Sequence, residues 1–102
     1  MLELRPTCEH CNKALPPDSL EARICTYECT FCAACVERVL ANVCPNCGGG
    51  FVPRPIRPRT ERRPGVSLVR QPASTERRRL KYDRAEIAQF VAGVKDIAPG
   101  ER

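Results

Sequence analysis

Apolar residues recurring at three- and four-residue steps mark two helices in an otherwise irregular chain. In the first, Val36, Val39, Leu40 and Val43 form one stripe between Ala33 and Val43, with Glu37, Arg38 and Asn42 on the opposite side; this predicts a central helix with one face on a core. In the second, Ile87, Phe90, Val91, Val94 and Ile97 repeat the same step. Its start is signalled twice, since Asp83 and Glu86 have capping-box spacing and Tyr82 and Ile87 have hydrophobic-staple spacing. Pro99-Gly100 ends it, and Glu76 to Lys81 could extend it backwards. Between Glu21 and Glu28, Ala22, Ile24 and Thr26 alternate with Arg23, Cys25 and Tyr27, the period of a short strand. Phe51-Val52, released by Gly48, Gly49 and Gly50, is a candidate edge strand, and the prolines of Leu15-Pro16-Pro17-Asp18 predict an extended loop.

From Pro53 to Ser74 the pattern changes. Prolines alternate with Arg54, Arg57, Arg59, Arg62, Arg63 and Arg70, which disfavours helix and paired strand and predicts an extended, polyproline-like arm. The chain therefore divides into a module at 1–52, a Pro/Arg-rich flexible linker at 53–74 and a C-terminal amphipathic helix region at 75–102. Net charge is +5, and its distribution sharpens the division. The module carries only Arg5, Lys13, Arg23 and Arg38 against six acidic side chains, whereas the remainder is strongly basic. These halves are expected to be separable.

The cysteines change the picture most. All eight precede residue 48, in a module of a size that rarely folds without a metal or disulfide staple. The opening Met1-Leu2-Glu3-Leu4-Arg5-Pro6 has no apolar signal region, so a cytoplasmic location is expected, where paired thiols read as metal ligands rather than disulfides. No apolar run approaches membrane-spanning length. Each cysteine has a neighbour two or three residues away, which lets two thiolates meet one tetrahedral zinc from a single turn at about 2.3 Å. Cys8, Cys11, Cys25, Cys29, Cys32, Cys35, Cys44 and Cys47 thus predict two Cys₄ zinc sites. The pairs could be divided sequentially or as a cross-brace, and spacing alone allows both.

The order of these pairs, ending in Cys44-Pro45-Asn46-Cys47, resembles a RING finger with cysteine at the position usually held by histidine. That resemblance implies a small zinc-stabilised α+β fold with short strands and one central helix. It also implies a cross-brace, with Cys8, Cys11, Cys32 and Cys35 on one ion and Cys25, Cys29, Cys44 and Cys47 on the other. RING ubiquitin ligases recruit a conjugating enzyme through an apolar residue in the first knuckle, a large apolar residue after the helix and a basic residue past the last cysteine. Here Glu9 and His10 occupy the knuckle, tryptophan is absent and Gly48 follows Cys47, so only Pro45 matches; fold does not carry that function across. Over roughly residues 1 to 58 the chain also resembles a family of short bacterial proteins, domain-of-unknown-function family 1272, which implies a bacterial origin and no particular mechanism.

Four cysteines per ion leave no open coordination position, which favours structural over catalytic zinc. No Ser/His/Asp set or phosphate-cradling glycine loop accompanies them, so a noncatalytic protein-interaction module or adaptor is expected rather than an enzyme. Two alternatives come from other classes. C-x-x-C thiols can support redox or zinc-sensing chemistry, and Arg54 to Lys81 could bind nucleic acid nonspecifically by counterion release. His10, the single histidine, reads as a loop residue beside a complete ligand set. The terminal helix suits either packing on its own module or docking into a partner through Ile87, Phe90, Val94 and Ile97.

Overall fold

The alternating stretch forms a strand, and its fully buried neighbour forms a second. In a computed structural model describing residues 1–102, β1 (Ala22–Ile24) pairs antiparallel with β2 (Thr30–Cys32), Ala22 opposite Cys32 and Ile24 opposite Thr30. β2 is buried at all three positions, so it lacks the alternation that would have marked it in the sequence. Val52 continues as expected into a short edge strand, β3 (Val52–Pro53), on the other side of β1, giving the sheet order β2-β1-β3. Phe31 and Phe51 meet edge to face at 5.4 Å beneath it.

The central helix, α1 (Ala33–Arg38), follows β2 directly but stops before the expected Val43. The Leu40 N–H bonds back to the Cys35 carbonyl, and Ala41 and Asn42 take positive φ values of 46° and 60°. This turn lets Leu40 and Val43 both reach zero exposure, which a straight helix of that length would not require. Of the expected stripe, Val36 packs against the core from the helix, Leu40 and Val43 are delivered by the turn, and Val39 stays exposed.

The stretch expected as a free linker instead lies across the module. The Arg54 N–H bonds to the Ala22 carbonyl at 2.9 Å, and its guanidinium donates to the carbonyls of Arg5 (2.9 Å), Leu15 (3.2 Å) and Pro16 (2.9 Å). Arg57 ties Leu2 to Gln71 by their carbonyls. Beyond it a loop closes on itself around Glu61, which accepts from the Gly65 N–H and the Arg70 side chain. The physical reason is complementary need: proline-rich loops leave main-chain carbonyls without N–H partners, and closely spaced arginines supply donors.

Residues 76–81 do not extend the last helix, because they run alongside the N-terminal segment: Arg78 pairs with Glu3 at 3.0 Å and the Leu80 N–H reaches the Glu9 carbonyl. The helix α2 (Arg84–Val94) starts at the expected capping box, with Asp83 accepting from the Glu86 N–H and Glu86 reaching back. Ile87 and Val91 are buried in the same cluster as Cys8, Leu15, Phe31 and Leu40, so α2 packs on its own module. Phe90 and Ile97, two of the expected partner anchors, stay half exposed. The chain then turns through Pro99–Glu101 and Arg102 donates to the Asn42 carbonyl at 2.7 Å. The two halves expected to be separable thus share one core. No helix is long and apolar enough to cross a membrane.

Candidate metal centres

Two cysteine pairs are built on the same turn. In Cys8–Cys11 the N–H of Asn12 bonds to the Cys8 carbonyl at 3.0 Å, and in Cys44–Cys47 the N–H of Gly48 bonds to the Cys44 carbonyl at 2.7 Å. Both turns end on a left-handed residue, Asn12 at φ 65° and Gly48 at φ 80°. Glycine enters that region without strain and asparagine more readily than other residues. The role of Asn12 was missed in the sequence, although an asparagine directly after C-x-x-C is its signal. The other pairs come from the β1–β2 hairpin and the start of α1. Cys25 and Cys29 flank the hairpin turn, helped by Glu28 at φ 66°, while Cys32 caps α1 and Cys35 lies three residues on, facing the same way.

Tertiary folding sorts these pairs into a cross-brace. The sulfurs of Cys8, Cys11, Cys32 and Cys35 all lie within 4.8 Å of one another, as do those of Cys25, Cys44 and Cys47. Four sulfurs about 2.3 Å from a tetrahedral ion sit about 3.8 Å apart, and the Sγ atoms of Cys11 and Cys32 are 3.7 Å apart. The first cluster therefore fits a tetrahedral ion with four protein ligands. In the second, Cys29 falls outside the mutual set, yet its sulfur receives the Asn46 side-chain amide at 3.4 Å. It borders the site without joining the mutual set.

The protein supplies donors to this sulfur. Backbone N–H groups of Cys11, Tyr27 and Gly49 point at Cys8, Cys25 and Cys47, and His10 Nδ1 lies 3.3 Å from Cys35 Sγ. Proton affinity is divided unevenly. Hydrogen bonds from Cys29 and Cys44 push Cys25 down to about 3, whereas hydrogen bonding with Cys25 and Cys29 pushes Cys44 up. Burial raises Cys8 and Cys35; in Cys11 burial is outweighed by the Lys13 N–H and neighbouring thiols, and the group ends below its ordinary value. Crowded sulfurs cannot all carry charge beside one another, and a divalent cation would replace the shared protons.

The family model described as "Protein of unknown function (DUF1272)" matches residues 1–57. The chain belongs to this family. The DUF1272 match contains both clusters and ends at Arg57, the side chain that ties Leu2 to Gln71. An uncharacterized protein of Rhizobium meliloti (strain 1021) is 56% identical over 77 residues, covering 76% of this chain and 84% of that protein. That aligned span is longer than the DUF1272 match, so the likeness takes in sequence outside it. No solved structure matches the chain.

Proposed function

We propose that this chain is a noncatalytic, cytoplasmic protein-interaction module held rigid by two zinc ions. The observation that carries the reading is the gathering of Cys8, Cys11, Cys32 and Cys35 within 4.8 Å, with Cys25, Cys44 and Cys47 doing the same. Thiolate-only sites select zinc among the common divalent ions, and full protein ligation is the mark of a structural rather than a hydrolytic centre. In the second centre Cys29 completes the set. Structural zinc in small domains contributes about 10 to 16 kcal/mol of apparent binding free energy, which makes folding metal-dependent. With α2 laid over the two knuckles, an adaptor would present the loops and the basic arm rather than the face between the metal centres.

Metal analysis of purified protein tests the reading, with about two zinc per chain expected. Retention of native circular dichroism and dispersed amide signals after complete chelation would sink it. The thiol-redox alternative is separated by titrating the zinc-loaded protein with a disulfide reagent: a structural module shows slow, uniform reaction, and a redox protein shows one fast pair with reversible zinc release.

A further inference from the structure

Arg77, Arg79 and Arg84 line one cleft of about 480 Å³ above the first cysteine knuckle. Extended backbone sends successive side chains to opposite sides. Arg78 accordingly turns to Glu3, while Arg77 and Arg79 turn into the cleft, where α2 adds Arg84. None of these three forms a salt bridge. The Nε of Arg77 is buried with no hydrogen-bond partner, as are those of Arg5 and Arg54.

The acidic groups at the rim are already engaged. Glu9 accepts from Arg5 at 2.9 Å and from the Thr30 N–H, and Asp83 accepts from the Glu86 N–H at 2.9 Å. Tyr82, 39% exposed, forms an aromatic wall. We propose that this cleft binds a phosphate monoester of nucleotide size, its phosphate held by Arg77, Arg79 and Arg84 and its ring lying against Tyr82. Guanidinium forks match phosphate oxygens two at a time, and the cleft volume falls within the range of about 300–1,000 Å³ common to small-ligand sites. Cys11 borders the cleft, so the arginines face a choice between two anions: the zinc-loaded thiolate centre and an incoming phosphate. Three guanidinium groups share the cleft and none is held by a carboxylate, so the balance lies with the incoming ligand.

The experiment uses the zinc-loaded full chain, observed by ¹⁵N NMR of backbone and arginine Nε signals. Inorganic phosphate, adenosine monophosphate and a short single-stranded oligonucleotide are titrated at constant ionic strength. The nucleotide should give saturable shifts at Arg77 Nε and Tyr82, with weaker saturation by inorganic phosphate. The double variant Arg79→Gln/Arg84→Gln, altered at two exposed side chains, should bind the nucleotide about tenfold more weakly, and Arg62→Gln/Arg63→Gln in the arm should bind it unchanged. Absence of saturation, or equal affinity in the cleft variant, overturns the proposal. So does faster zinc loss from the cleft variant with no phosphate binding by the parent chain, because the arginines would then serve only the thiolates. Preference for the oligonucleotide that depends on Arg62 and Arg63 would return anion binding to the arm.

Discussion

Replacing Arg54 with alanine should destabilise the whole chain, although Arg54 lies outside the cysteine module read from the sequence. The side chain is 4% exposed and donates to three carbonyls, those of Arg5, Leu15 and Pro16. Hydrogen bonds from a charged donor contribute about 1.5–3 kcal/mol each before desolvation is charged against them. Burial lowers the Arg54 pKa, with no carboxylate to offset it, so a good part of that sum is cancelled. The net loss should be about 3 kcal/mol, on the order of a hundredfold in the folding equilibrium. Arg54→Lys keeps the charge but not the planar fork, and should lose an intermediate amount. Urea unfolding at fixed excess zinc, followed by circular dichroism, measures this, with Arg59→Ala as an exposed control expected within about 0.5 kcal/mol of the parent. Equal midpoints for Arg54→Ala and the parent, or equal losses in both variants, would refute the claim that the arm is part of the fold.

At Gly48 (φ +80°), a methyl group would lie 3.6 Å from Phe90 Cζ, so alanine fits the space but not the backbone, and Gly48→Ala should cost about 1–2 kcal/mol by urea unfolding and weaken zinc at the second centre in a chelator competition. Cys29→Ser should selectively weaken that same centre if Cys29 is its fourth ligand: competition with a chromogenic chelator should show one ion released early and the other held as in the parent, and two unchanged affinities would remove Cys29 from the ligand set. The Arg78 hydrogen bond, opposed by burial and aided by Arg5, holds the Glu3 carboxyl below its ordinary range. Its folded-state pKa is therefore depressed, so its stabilisation is complete above the unfolded carboxylate range and is lost as pH falls through the folded value. The stability difference between parent and Glu3→Gln should shrink over that acid window, and a pH-independent difference in parallel urea titrations would contradict it. Ile87→Ala should cost about 2–4 kcal/mol because it empties a buried site shared with the cysteine core, and a neutral result would free α2 from the module.

Local chemistry was legible in the chain because it depends on neighbours in sequence. C-x-x-C spacing places two sulfurs on one turn, the Asp83/Glu86 pair closes a capping box within a single helical turn, and Ala22-Arg23-Ile24 alternates because one strand face is buried. The helical stripe from Val36 to Val43 marked Leu40 and Val43 as buried but wrongly included Val39, which stays 38% exposed, and it did not give the shape that buries the other two. Ala41 and Asn42 leave the helix so that Leu40 and Val43 reach a core whose position no local pattern specifies. The division of eight cysteines into two clusters was likewise open to spacing, because Cys29 and Cys32 are close enough to join either neighbour; the β1–β2 hairpin decides it by turning Cys25 and Cys32 to different ends of the pair. The arm was misjudged for the same reason. An arginine in a proline-rich stretch looks solvated until the carbonyls of Arg5, Leu15 and Pro16 are brought around it, and those carbonyls come from residues 38 to 49 positions away in the chain. Sequence determined the metal-binding turns and the helix starts, where the partner is a few residues distant; tertiary structure decided which sulfurs share an ion and which charges are buried, because those partners meet only when the chain closes on itself.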